Sequence, residues 1–235
     1  MIDLGSVDIY IPLAELSKSE LEKFSDSLFD SWEKDIDNFL SVPDYSILLV
    51  VEDGSLSVKG KIAATAATLY LGIAQYGSFI SGLDIIYKQS TRVVNFLTQK
   101  STKNFNDLSS AVDIKKSRGD LGKIKYLVEK YQSGQLSVDE VMERISEILV
   151  GVEGNPDFLD EIEASLRAAP LYPQQRKLDF YEFLAYISEE NFSKKRKLPI
   201  GNIPRNSLNF RDDRFRVELW RNSKNDKKNV KIIKI

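Results

Sequence analysis

The chain has 235 residues, of which 42% are apolar and 29% are charged, and it contains no Cys and no His. This composition is typical of a globular protein, and the length is sufficient to bury a core without disulfides. Disulfides, Cys-type zinc sites, thiol nucleophiles and every site that needs an imidazole are excluded within this sequence. Carboxylates, Lys, Tyr, Ser and Thr remain for catalysis, and we expect no cofactor.

The N-terminal part of the chain begins with a strand and a helix. Alternating apolar residues predict a half-buried strand over 6–12. Ser17-Lys-Ser-Glu20 is a capping box, and apolar residues recur behind it every three or four positions. This pattern predicts an amphipathic helix over 17–40.

A hairpin follows this helix. The apolar run 45–52 and the alternating segment 55–60 flank Asp53-Gly54, which is a strong signal for a tight turn between two strands. The first third therefore predicts a β-α-β-β order with a mixed or antiparallel sheet.

The next segment is unusual because residues 62–83 carry no charge. We predict one central helix over 62–100, buried because it is nearly uncharged on every side. Small residues would let another backbone approach closely, which leaves an oligomer interface and a membrane-active segment as alternatives. The residues predicted for helix packing or an oligomer interface are Gly72, Tyr76, Gly77 and Gly82.

The rest of the chain predicts helices and a terminal hairpin. Residues 102–119 are polar and predict a loop or a short helix. Helices are predicted over 121–132, from Ser137 to about 150, over 157–169 and over 173–190. A basic linker over 193–207 precedes a β-hairpin, which either joins the sheet or stands apart.

We therefore predict an α+β fold with a small N-terminal sheet, a long central helix, a helical middle and a C-terminal β-hairpin. The predicted domains are an α+β core over 1–100, a helical region over 101–191, and the basic linker with the hairpin over 192–235.

The segment nearest to a phosphate-binding loop lies between Gly54 and Ile62. Five residues separate its glycines, where a P-loop has four, and Ile62 stands where the magnesium-binding Ser or Thr is required. A glycine-turned hairpin is the better interpretation. Lys59, Gly60 and Lys61 are kept as a candidate anion site, because they precede the predicted central helix and anions bind at helix N-termini.

Charge is distributed unevenly along the chain. Residues 192–235 carry fourteen Lys and Arg against four Asp and Glu, a net charge of +10, while the whole chain carries −2. In the predicted hairpin, Arg214 and Arg216 share a face with Trp220, and cations beside an aromatic ring suit a nucleic acid. The alternative is docking on an acidic protein surface, including the acidic body of the same molecule. The candidate binding residues are Lys194, Lys195, Arg196, Lys197, Arg214, Arg216, Trp220 and Arg221.

The function predicted from these features is that of a non-enzymatic intracellular binding or adaptor protein, oligomeric, whose basic hairpin engages nucleic acid or an acidic protein surface. Two alternatives belong to other classes. One is a membrane-active effector of a bacterial toxin or anti-phage defence system that acts through helix 62–83. The other is a carboxylate- and magnesium-dependent phosphoryl-transfer enzyme or nuclease. The acidic N-terminus does not resemble a secretory signal, so a cytoplasmic location is expected.

Overall fold

Six antiparallel strands form one sheet in the computed structural model, which describes residues 1–12, 16–103, 105, 112–149, 156–169, 171 and 214–235. The predicted α+β class is confirmed. The elements in chain order are β1 (Ile2–Ile11), α1 (Lys18–Phe39), β2 (Ser46–Glu52), β3 (Leu56–Ala64), α2 (Ala66–Ala74), α3 (Phe79–Thr102), β4 (Asp113–Ser117), α4 (Gly119–Gln132), α5 (Val138–Ile148), α6 (Pro156–Ala168), β5 (Phe215–Arg221) and β6 (Asn229–Lys234).

The terminal hairpin belongs to the same sheet as the N-terminal strands. The strand order is β4-β1-β3-β2-β5-β6, so β5 pairs with β2 and β6 forms an edge of the sheet. Strand β4 forms the opposite edge by pairing with β1. The three predicted regions of the chain therefore all contribute to one sheet, with three strands, one strand and two strands in chain order.

One face of the sheet is covered by helices and forms the core. Along β1, the buried residues Val7, Ile9 and Ile11 alternate with the exposed residues of the other face, as the period-2 pattern predicts. Helix α1 packs on β2 and β5, while α3 and α4 pack on β1. The indole Nε1 of Trp32, which is fully buried, donates a hydrogen bond of 3.1 Å to the carbonyl of Val93 and so ties α1 to α3.

The prediction of one helix over 62–100 is wrong. Strand β3 continues to Ala64, and the segment beyond it forms two helices, α2 and α3, whose axes differ by 109°. Two hydroxyl caps mark the helix starts: the side chain of Thr65 accepts from the Thr68 amide, and that of Ser78 accepts from the Ser81 amide. The first residues of the uncharged segment are apolar because β3 is a central strand, paired on both sides.

Most other predicted elements are present, and one was missed. Helix α1 and the strands β2, β5 and β6 lie where they were predicted, and α4, α5 and α6 follow in the predicted order. Strand β3 ends four residues later than predicted, and β1 begins four residues earlier. The segment predicted as a loop or short helix contains β4, an exposed strand that is defined by its pairing with β1. The predicted helix over 173–190 and the linker over 193–207 lie outside the described residues.

Candidate functional site: the C-terminal hairpin

The hairpin β5–β6 lies beside helix α1, and the two are joined by ion pairs. Acidic residues recur along α1 at the helical spacing of four, three and four positions, and we call them the acidic stripe: Asp26, Asp30, Glu33 and Asp37. Cations of the hairpin meet each of these residues. The described part of the basic end, the hairpin, is therefore ion-paired with an acidic helix of the same chain.

Arg221 makes the most buried of these contacts. Its guanidinium pairs with the carboxylate of Glu33, and both side chains are about one-fifth exposed, at 19% and 20%. The Nε of Arg221 also donates to the carbonyl of Asp226 at 2.6 Å, within the turn that joins β5 to β6. Arg221, predicted as a residue that binds a partner, is thus held by its own chain.

Two lysines of the turn complete the contact. Lys224 Nζ lies 3.1 Å from Asp37 Oδ1, and Lys228 Nζ lies 2.5 Å from Asp26 Oδ1 and 2.6 Å from Asp30 Oδ1. Burial lowers the pKa of Lys228, but its hydrogen bonds to the two carboxylates outweigh this effect, so that the pKa is raised.

The turn is also fixed through its backbone. The carboxylate of Asp44, beyond the end of α1, accepts hydrogen bonds from the Lys224 amide at 2.7 Å and from the Ser223 hydroxyl at 2.9 Å. The hairpin is therefore positioned at its turn both by ion pairs and by hydrogen bonds that the Asp44 carboxylate accepts.

The strand β5 places its other predicted residues on the face of the sheet opposite the described helices, which we call the open face. Arg216 and Trp220 both lie there and are half-buried. Arg216 Nε lies 2.8 Å from Glu52 Oε1 on the neighbouring strand, so this cation is also paired within the chain. Trp220 stands directly opposite Leu48 of β2, which is 40% exposed.

Arg214 precedes β5 and is exposed. Its side chain lies against the turn between β2 and β3, since a Cβ atom placed on Gly54 would stand 3.0 Å from Arg214 Nε. The remaining predicted cations, Lys194, Lys195, Arg196 and Lys197, lie outside the described residues.

The candidate anion site does not lie at a helix N-terminus, and the prediction of that position is wrong. Lys59, Gly60 and Lys61 are in the middle of β3, because the strand continues past them. Lys59 and Lys61 are exposed on the open face, where Lys61 stands opposite Leu48 and pairs with Asp3 at 3.4 Å. These lysines are therefore neighbours of the hairpin's open face in the sheet, although they are distant from it in sequence.

Gly60 faces the helices instead and serves packing. A Cβ atom at this position would stand 2.2 Å from Leu97 Cδ2 and 3.0 Å from Trp32 Cη2. The absence of a side chain lets the indole and α3 close over the sheet at this point. We assign Gly60 to the core.

Two of the glycines predicted for helix packing or an oligomer interface are used inside the chain. A Cβ at Gly72 would stand 2.9 Å from the carbonyl oxygen of Ser41, and one at Gly82 would stand 2.2 Å from that of Ile73. These are the close backbone approaches that small residues permit. A role of the same positions in an oligomer stays a prediction.

The other two residues of this group lie at the bend between α2 and α3. The hydroxyl of Tyr76 forms a 3.1 Å hydrogen bond with Gln89 Nε2. Gly77 has φ of +79° and meets no atom within 4 Å of an added Cβ. It lines a cavity of about 520 Å³ between this bend and α6, and Glu161 supplies a carboxylate to the cavity wall.

The outer strand of the hairpin carries a feature that the sequence analysis did not single out. Val230, Ile232 and Ile235 are 51%, 42% and 47% exposed, and the exposed Lys231 lies among them. The alternation of Val and Ile with Lys at the end of the chain is the signal that predicts such an edge strand. The spacing of the acidic stripe was likewise readable from the sequence.

Comparisons with protein-family models, curated proteins and solved structures found no match for this chain. In the described part of the chain, no single helix is long and apolar enough to cross a membrane, although the bent pair α2 and α3 meets that criterion together. No cluster of three or more carboxylates suited to a metal ion occurs among the same residues.

Proposed function

We propose that this protein is a non-enzymatic intracellular binding protein whose C-terminal hairpin engages an acidic segment of another protein. The observation that carries the proposal is the outer strand β6, which exposes Val230 and Ile232 on either side of the exposed Lys231. Apolar side chains at an exposed sheet edge favour a protein partner, and the lysine between them favours an acidic one.

The charges of the hairpin support a protein partner over a nucleic acid. Of the eight Lys and Arg residues over 214–235, at least four are paired with carboxylates of the same chain: Arg216, Arg221, Lys224 and Lys228. Nucleic-acid affinity comes mainly from cations that replace counterions on phosphates. A cation already neutralised by a carboxylate must lose that partner first, so these four contribute little to binding a polyanion.

The open face also has mixed charge. Across the sheet, Lys59 is flanked by Asp8 on β1, and Lys231 is flanked by Glu218 on β5. Alternating signs of charge repel a continuous row of phosphates at every second position but suit a protein surface of mixed charge. Nucleic acid binding is therefore the second outcome that the experiment must distinguish.

A titration with defined probes tests the proposal. Fluorescence anisotropy of the full chain is measured with a labelled peptide, Gly-Thr-Val-Glu-Val-Thr-Gly, and separately with a labelled oligothymidylate, across a salt series. We expect the peptide to bind with a dissociation constant between about 1 μM and 1 mM, and its Glu→Gln version to bind more weakly. We expect the oligothymidylate to bind more weakly than either peptide.

Two charge reversals provide the matched comparison. Lys231→Glu is expected to weaken peptide binding at least about fivefold, because the loss of attraction and the new repulsion together exceed about 1 kcal/mol. Lys115→Glu makes the same change of net charge on β4 at the opposite edge of the sheet and is expected to have no effect. Equal effects of the two variants, or tighter binding of oligothymidylate with a steep salt dependence, would contradict the proposal.

A further inference from the structure

In the edge strand β6, the backbone groups of Val230 and Ile232 are turned away from the sheet. The Ile235 amide donates to the Arg214 carbonyl at 2.9 Å, which makes these two residues a hydrogen-bonded pair of the antiparallel ladder. Such pairs recur at every second residue, so Lys231 and Ile233 also direct their backbone groups toward β5. The amides and carbonyls of Val230 and Ile232 therefore point outward.

The pairing of β5 with β2 independently indicates the same alternation of inward-pointing and outward-pointing backbone groups along β6. The Asp53 amide donates to the Phe215 carbonyl at 3.0 Å, so that Phe215 and every second residue after it bond to β2. The alternate residues Arg216 and Glu218 must then bond to β6. No further hydrogen bond within the described ranges reaches Val230 or Ile232.

The side chains of the same two residues extend the apolar row of the core. Val230 stands opposite Leu219 and Ile232 stands opposite Val217, and both partners on β5 are about 1% exposed. Among the described elements, helix α1 packs on β2 and β5, and β6 packs mainly on β5. An additional strand beside β6 would continue this row by one position and cover Val230 and Ile232.

Lys231 lies on the opposite face, where it stands beside Glu218 of β5. A residue placed opposite Lys231 on an added strand would project on the open face, and opposite charges in such cross-strand positions attract. An added strand that fits β6 therefore has an apolar residue, then an acidic residue, then another apolar residue.

We infer that β6 binds an acidic segment of a partner protein by antiparallel strand addition, in which two apolar residues pair with Val230 and Ile232 and an acidic residue between them pairs with Lys231. This inference rests on the proposed function and specifies its mode of binding. Strand addition supplies affinity through main-chain hydrogen bonds, while alternate side chains supply specificity. The ion pairs between the hairpin turn and the acidic stripe order the edge before the partner arrives.

In the register that pairs Val230 with Ile232, the charge of the edge disfavours a second copy of the chain as the occupant. In the two-fold arrangement centred on Lys231, Val230 of each copy pairs with Ile232 of the other and the two Lys231 side chains stand opposite each other. Like charges directly opposite each other are destabilising, and lysines on edge strands commonly prevent self-pairing.

Methylation of single peptide amides separates strand addition from other modes of binding. In an antiparallel hydrogen-bonded pair, the two valines of the Val-Glu-Val peptide would direct their amides toward β6, and the glutamate amide would point away. N-methylation of both valines is expected to weaken binding at least about tenfold, because two hydrogen bonds are lost. N-methylation of the glutamate is expected to change the affinity by less than about twofold.

A matched change in the protein uses proline, which has no amide hydrogen. Ile232→Pro removes an outward amide that the ladder does not use, and edge strands tolerate such a residue. Its binding of the unmethylated peptide is expected to fall at least about tenfold with an unchanged circular dichroism spectrum. Ile232→Val keeps the amide and most of the apolar surface and is expected to bind within about threefold of the parent chain.

The outcomes distinguish the inference from the proposed function. If the peptide binds with its Glu preference but neither methylation matters, strand addition is refuted and the proposed function stands. If only methylation of the glutamate weakens binding, the antiparallel direction is refuted. If the peptide does not bind at about 1 mM, the proposed function itself fails. A dimer in sedimentation velocity that Ile232→Pro dissociates would assign the edge to a second copy and overturn the inference.

Discussion

The contact between Arg221 and Glu33 predicts a measurable contribution of the hairpin to the stability of the whole sheet. Arg221→Met keeps the aliphatic part of the side chain and removes the charge that faces Glu33. Exposed ion pairs contribute about 0–1 kcal/mol, whereas breaking a fully buried pair costs about 3–5 kcal/mol. Both side chains here are about four-fifths buried, so we expect a loss of about 2 kcal/mol.

The assay is urea unfolding followed by tryptophan fluorescence, and it includes a double-mutant cycle. With a denaturant slope of about 2 kcal/mol per molar urea, a loss of about 2 kcal/mol lowers the midpoint by about 1 M. We expect Glu33→Gln to destabilise the chain as well, and the double variant to lose less than the sum, with a coupling energy of about 1–2 kcal/mol.

The control is an ion pair of the same kind on the surface. Lys115 lies 3.9 Å from Asp113, and their side chains are 66% and 57% exposed, so Lys115→Met is expected to change stability by less than about 0.5 kcal/mol. If Arg221→Met has no larger effect than Lys115→Met, or if the coupling energy is near zero, the hairpin is not held by the acidic stripe as described.

Two further predictions concern the core and the pH dependence. Gly60→Ala is expected to lower the free energy of unfolding by about 1–3 kcal/mol in the same urea assay, because the added Cβ would overlap Leu97 and press on Trp32. An unchanged urea midpoint would contradict the packing described for β3. Because the folded-state pKa of Lys228 lies above its ordinary value of 10.5, its contribution is complete below about pH 10.5 and is lost as the pH rises through the folded-state value. The difference in urea midpoint between the parent chain and Lys228→Met should therefore be constant from pH 7 to about pH 10 and shrink above it. A difference that grows with pH would contradict the raised pKa of Lys228 in the folded state.

The parts of the fold that could be predicted are those whose signals are local. The capping box at Ser17 and Glu20 predicts the start of α1 within one residue, and both of its hydrogen bonds are present. The hairpin signal at Asp53-Gly54 identifies the β2–β3 turn, where Gly54 has φ of +98°.

The errors occur where local signals are ambiguous or absent. A short apolar run such as Ile62–Ala64 fits a buried strand and a buried helix equally well, and here the pairing of β3 with β1 and β2 decides. The caps at Thr65 and Ser78 were available in the sequence and mark the two helices that replace one. Strand β4 has no apolar pattern to predict it, because it is exposed along its whole length.

Only part of the candidate site could be predicted, because its geometry depends on a pairing between strands that are distant in sequence. The sequence contains the opposed charges, but only the position of β5 beside β2 brings Arg221 and Lys228 to the acidic stripe. That position is a long-range pairing, which composition and spacing do not encode. The same pairing leaves β6 at the edge with Val230 and Ile232 exposed.

Residue-resolved amide exchange of the full chain, measured by NMR with and without the Val-Glu-Val peptide, tests the central claim most directly. In the free chain, the amides of Val230 and Ile232 should exchange rapidly, while that of Lys231, which bonds to β5, should be protected. At saturating peptide, we expect Val230 and Ile232 to become at least about tenfold more protected while Lys231 changes little. Protection that does not change at Val230 and Ile232 while the peptide is bound would contradict the account.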